Sequence, residues 1–126
     1  MDSYKEKKAF SVIARMKSFP HAWRGVCIFL KTTHNAWVQA FCFLLEIILA
    51  VILRISSIEW ILIILSGGLL IVAEAFNTAI EIDIDLTSPD YHPFARDTKD
   101  VAAGAVLLMS MVTTIVGLII FLPKIF

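Results

Sequence analysis

The residues of this chain best able to do chemistry lie in one stretch, Glu74 to Asp85, which reads EAFNTAIEIDID. It closes a long apolar run that begins near Trp60. At about 100° per residue, Glu74, Asn77, Thr78, Glu81 and Asp85 share one stripe of a helix, while Ala75, Ile80 and Ile82 point elsewhere. A carboxylate at membrane depth is unfavourable and marks a functional site by default. Asn77 alone would fit a polar contact between helices. Two glutamates need a cation, a proton or a partner to offset their desolvation. Carboxylates with an amide can hold Mg²⁺ beside phosphate oxygens. A lysine supplies a point charge for a transferring phosphoryl group, and a deeper carboxylate can accept a proton from an alcohol. Glu74 precedes Glu81 by two helical turns, about 10 Å of rise. That depth suits Glu74 to a lipid hydroxyl and Glu81 to a metal and nucleotide. Proton relays and ion pathways also use intramembrane carboxylates, so spacing leaves both readings open.

The elements that must position these groups are helices in a bilayer. The chain has 126 residues, 59% of them hydrophobic, and a mean hydropathy of +0.83. One domain over residues 1–126 and an all-α membrane class follow. The apolar runs predict spans at about 36–53, 60–82 and 98–122. Residues 4 to 18 predict an amphipathic helix on an anionic leaflet, with Lys5, Lys7, Lys8 and Arg15 on its polar face. Pro20 is expected to break it or to start a second short helix, about 20–33. Seven of the eleven Lys and Arg precede residue 35, so the N-terminus is expected to be cytoplasmic. No cleavable signal is expected, because no apolar segment directly follows the basic start.

Arg54 to Glu59 reads as a turn, and Gly67 and Gly68 as points of close helix approach. Asp83 to Asp97, DIDLTSPDYHPFARD, reads as the one substantial loop because Pro89 and Pro93 interrupt a helix. Its acids, with Tyr91, His92, Lys99 and Asp100, gather polar groups at the cytoplasmic surface. Cys27 and Cys42 have no metal spacing and read as packing residues. Glu46 is an oddity inside the first span, and a structural or neutral role is favoured over a catalytic one. No glycine-rich phosphate loop, HExxH or GxSxG motif is present, and no nucleic-acid partner is expected.

The block EAFNTAIEIDIDLTSPDYHPFARDTKDVAAGAVLL resembles the signature of the small bacterial diacylglycerol kinase and undecaprenol kinase family. The stretches AWRGV and TTHNAWVQA extend the resemblance more weakly, over about residues 15 to 122. It implies a lipid kinase with three spans, in a homotrimer whose active sites are shared between neighbours. It also implies ATP as co-substrate, Mg²⁺ as metal, a membrane lipid alcohol as acceptor, and the inner membrane of a bacterial cell. By motif position Glu74 resembles the family's catalytic base and Asn77 its active-site asparagine. Glu81 matches a metal and nucleotide carboxylate. Asp90, Tyr91 and His92 match a nucleotide-contacting turn, and Lys99 with Asp100 a phosphate- and nucleotide-binding pair. His21 falls where the family often has a nucleotide contact. Thr33 stands where the family usually has a second metal-binding acid, and a hydroxyl is a far poorer Mg²⁺ ligand. A non-catalytic relative of the same fold, disabled at Thr33, is therefore an alternative, and an ion-conducting oligomer is another. The run HPFARDTKDVAAGAVLL is closer to the undecaprenol branch than to the diacylglycerol branch.

Overall fold

Each helix starts and stops where local side chains can satisfy its free backbone groups. In the computed structural model, which describes residues 9 to 126, these are α1 Val12–Thr32, α2 His34–Ile52, α3 Ser57–Thr87 and α4 Pro93–Ile125. Among the described residues there is no strand. The expected all-α class with three spans holds: α2, α3 and α4 are each long and apolar enough to cross a membrane.

Four boundaries differ from the sequence expectation, each for a local reason. Helix α1 runs unbroken through Pro20. The proline removes the donor that would bond the Met16 carbonyl, and the helix is exposed there, so the released group can find other partners. Residues 4–8 of the expected 4–18 helix lie outside the described residues, and 9–11 are not helical because Ser11 caps the helix at Val12; from there it joins the expected 20–33 helix in α1. From Val12 to Val26 α1 is exposed all round, and burial begins only at Cys27. The expected loop 83–97 shrinks to Ser88–His92. Helix α3 continues past Asp83 and Asp85, with the Thr87 hydroxyl donating to the Asp83 carbonyl at 2.8 Å. It stops at Ser88, whose helical conformation is disfavoured by Pro89. Helix α4 then starts early because Pro93 occupies its first turn and the His92 ring accepts the Phe94 N–H at 3.2 Å.

The turn between α2 and α3 is built as tightly as sequence suggested. Arg54 takes the left-handed conformation, φ 51°. The Arg54 and Ile55 N–H groups donate back to Val51 and Ala50, a helix stop that usually carries glycine. Ser56 and Glu59 then form a reciprocal capping box at the start of α3. An apolar core of Ala50, Ile55, Ile63, Ile120 and Phe121 fills this end of the molecule. Beside it Lys124 reaches Glu59 at 3.3 Å, joining the end of α4 to the start of α3.

Helices α3 and α4 pack along their length, α2 lies more lightly against α3, and α1 meets α2 and α3 only near their polar end. Gly67 is a point of close approach, since a Cβ there would overlap the Phe43 ring of α2. Gly68 is not, as a Cβ there meets nothing. Most large apolar side chains are exposed, as expected when lipid is the solvent.

Candidate functional site

The stripe on α3 divides by burial into a deep part and a surface part. Glu74 is 3% exposed, Asn77 8% and Thr78 7%. Glu81 and Asp85 are exposed. A continuous α3 keeps Glu74 about 10 Å along the helix from Glu81, as two turns require.

The deep part is held from two sides. From α2, Gln39 Nε2 donates to Glu74 Oε2 at 3.1 Å. From the α1–α2 elbow, Thr33 bonds Thr78 hydroxyl to hydroxyl at 2.7 Å. Thr78 gives its only hydroxyl proton to the Glu74 carbonyl, 3.0 Å away, so Thr33 is the donor to Thr78. The elbow is locked a second time by the Trp37 indole N–H, which donates to the Leu30 carbonyl at 2.6 Å. Thr33 also sits at the N-cap of α2, where its side chain makes no cap bond. Asn77 Nδ2 reaches Glu81 Oε1 at 3.4 Å, connecting the deep and surface parts. Two carbonyl oxygens here, Gln39 Oε1 and Asn77 Oδ1, are buried without a hydrogen-bond partner. Such orphans are rare and need an explanation.

The surface part surrounds a cleft of about 290 Å³ lined by Asp85, Asp90, Tyr91, His92, Lys99 and Asp100, among others. Lys99 bonds Asp85 at 2.5 Å and also lies in the field of Glu81. Asp100 pairs with Arg96 at 3.6 Å, an exposed contact of small energetic weight. Thus Asp90, Tyr91, His92, Lys99 and Asp100, expected together, do line one cleft. His92 also serves the fold as the α4 cap. His21 is exposed on α1 and bonds none of the other expected site residues among the described residues.

A larger cavity, about 590 Å³ and mostly apolar, opens between α2, α3 and α4. Its wall includes Gln39 at the polar end, Glu46 midway, and Ile125 at the far end. Glu46 lies against Gly117 of α4: a Cβ added there would stand 3.2 Å from its Oε1. Gln39 is the residue that sequence reasoning passed over. The signal was present, because an amide inside an apolar span is as conspicuous as Asn77.

Among the described residues no three His, Cys, Asp or Glu side chains gather as a metal-binding set. The donors beside the stripe are instead one carboxylate, Glu81, and the unpaired Asn77 Oδ1. Mg²⁺ takes one or two carboxylates together with phosphate oxygens and waters, so this set fits a metal brought in with a nucleotide.

Residues 20–121 match the family described as prokaryotic diacylglycerol kinase. The undecaprenol kinase of Bacillus subtilis is 41% identical over 108 residues, covering 86% of this chain and 88% of that protein. The diacylglycerol kinase of a Synechocystis species is 37% identical over 107 residues, covering 84% of this chain and 61% of that longer protein. The diacylglycerol kinase of Helicobacter pylori is 31% identical over 106 residues, covering 79% of this chain and 83% of that protein.

Proposed function

The chain belongs to the prokaryotic diacylglycerol kinase family, and from that premise we propose that it transfers the γ-phosphoryl group of ATP to the hydroxyl of a membrane lipid alcohol. The observation that carries this reading is the division of α3. A buried carboxylate, Glu74, is bonded to Gln39 on the wall of an apolar cavity. Two turns along lies an exposed carboxylate, Glu81, in the field that reaches Lys99. An apolar cavity suits a lipid chain, and a polar cleft suits a nucleotide.

In the proposed mechanism the lipid alcohol enters from the bilayer and presents its hydroxyl to Glu74. Glu74 takes the hydroxyl proton as the alcohol oxygen bonds to the γ-phosphorus. The bond from that phosphorus to the bridging oxygen breaks, and ADP leaves with the electron pair. Transfer of this kind depends on positioning and electrostatics. Lys99 supplies positive charge toward the phosphates, and Asp85 holds its ammonium in place. Asp90, Tyr91, His92 and Asp100 border the nucleotide, and Asn77 aligns Glu81 with the deep carboxylate. Glu81 and Asn77 Oδ1 would hold Mg²⁺, which when bound neutralises charge on the phosphates. The expected metal role of Thr33 is weakened by its bond to Thr78, though its lone pairs remain free.

We assign undecaprenol as the first acceptor to try and diacylglycerol as the second, since the B. subtilis relative at 41% identity is an undecaprenol kinase. The enzyme reading is favoured over ion conduction because conduction needs neither Lys99 nor the Asp90–His92 turn. We also assign the chain to a bacterial inner membrane as a homotrimer, with the basic N-terminal region on the cytoplasmic side. The test is transfer of labelled γ-phosphate from ATP to each alcohol in mixed micelles. Transfer to a lipid at a rate that depends on Mg²⁺ is expected. No transfer to either alcohol, with ATP bound, identifies a non-catalytic relative.

A further inference from the structure

Gln39 is an amide placed by α2 against the buried carboxylate of α3. Its donor side is used, at 3.1 Å from Glu74 Oε2. Its acceptor side, Oε1, is buried with no partner. An amide that needed only to fill space would be better replaced by leucine, because a buried unpaired carbonyl is unfavourable. The orientation seen satisfies the carboxylate and leaves the amide's own oxygen unpaired. The other oxygen of Glu74 takes no hydrogen bond among the described residues, so it is free for a substrate proton.

Resting on the assignment of Glu74 as the base, we propose that Gln39 is a positioning residue of the reaction: its N–H holds the Glu74 carboxylate in one orientation, with the second oxygen aimed at the lipid hydroxyl. Oε2 keeps accepting from the amide N–H after the second oxygen has taken the proton, so Gln39 holds the carboxyl group in one orientation before and after transfer, which an alkyl group at this position cannot do.

The other charged groups on the packed elements are unchanged in the variants tested and do not produce the differences they read. Those nearest the pair include Glu81 on α3, two turns from Glu74; His34 and Glu46 on α2; Lys99, bonded to Asp85, with Arg96, Asp97 and Asp100 on α4; and Arg24 and Lys31 on α1.

The test compares pH profiles of kcat for the parent, Gln39→Leu, Gln39→Glu and Glu74→Gln, with ATP binding and particle mass as controls for folding. For the parent, kcat should rise with pH to a plateau. Gln39→Leu removes the donor that orients the Glu74 carboxylate. Its acid limb should move up by about one pH unit, a roughly tenfold loss at a fixed pH below the plateau, with KM for ATP unchanged. Gln39→Glu conserves size and should introduce a limb that the parent lacks. With one proton shared between the two side chains, the introduced carboxyl can still donate to an ionised Glu74; when both ionise, the donor is lost. The kcat of this variant should therefore fall again at high pH. If both Gln39 variants keep the parent's profile, whatever their plateau rate, Gln39 does not act through Glu74 and the proposal is overturned. If Glu74→Gln keeps the parent's rate, the base assignment itself is wrong, and that result is independent of either Gln39 variant.

Discussion

Glu74 is the residue on which the proposed chemistry turns. Glu74→Gln keeps the size of the side chain and removes the base. Turnover is expected to drop by roughly 10²–10⁴ with nucleotide binding kept, because the cleft is lined on α3 only from Ile84 onward, well beyond Glu74. Single-turnover rates and ATP titration check this, and a variant with near-normal turnover removes Glu74 from the mechanism. Thr33 is the second residue of consequence. It is buried at the α1–α2 elbow, bonded to Thr78, three positions from Glu81 along α3. It also stands at the N-cap of α2, where a helix N-terminus favours negative charge. Thr33→Glu is expected to lower the Mg²⁺ concentration for half-maximal turnover, since it adds a hard anionic ligand beside Glu81. Thr33→Gln, which adds bulk without charge, should not. Equal Mg²⁺ dependence in parent, Glu and Gln forms would show that the elbow is remote from the metal.

At the scale of helices, paired glycines with different surroundings give a sharp comparison. Gly67 faces the Phe43 ring of α2, whereas Gly68 faces open space. Gly67→Ala is expected to cost about 1–3 kcal/mol by overpacking. Gly68→Ala should be neutral or stabilising by up to about 1 kcal/mol through helix propensity. Unfolding of the two variants in mixed micelles measures the difference. Equal stabilities would mean that α2 does not sit against α3 at Phe43. The same contact carries functional weight, because α2 brings Gln39 to Glu74. A Gly67→Ala chain that folds should therefore lose turnover as well as stability.

At the scale of the whole molecule, one reason for expecting an oligomer changes. The sequence suggests that a single chain has too few helices to cover a deep polar stripe. The structure covers Glu74 and Asn77 within one chain, using Gln39 and the Thr33 elbow. What stays open is Glu46, which lines a cavity of about 590 Å³ and makes no hydrogen bond or ion pair among the described residues. A carboxyl at that depth is unfavourable without a partner. Together with the family resemblance it supports assembly into a homotrimer. The expected particle in nanodiscs holds three chains, read by native mass measurement. A fully active particle of one chain would refute the assembly.

The sequence by itself determined the class, the number of spans and the side chains of the α3 stripe. Apolar length and the 3.6-residue period are local properties, and both persist whatever packs against them. It also gathered Asp90 to His92, Lys99 and Asp100 at one membrane surface, because a polar segment between two apolar spans must lie there. It misjudged the loop after Ile82, since acids and prolines suggest a break. Yet no proline stands in α3 before position 89, so the helix continues through Thr87, whose hydroxyl bonds the Asp83 carbonyl, until Pro89 stops it. It misjudged Pro20, because a helix tolerates one missing bond where the released carbonyl is exposed. Only the tertiary structure decided which polar groups are buried and what they touch. Gln39 and Glu74 are 35 positions apart and Thr33 and Thr78 are 45. Those pairings depend on how α2 settles against α3 around Phe43 and Gly67, a matter of packed shape that no local period or spacing records.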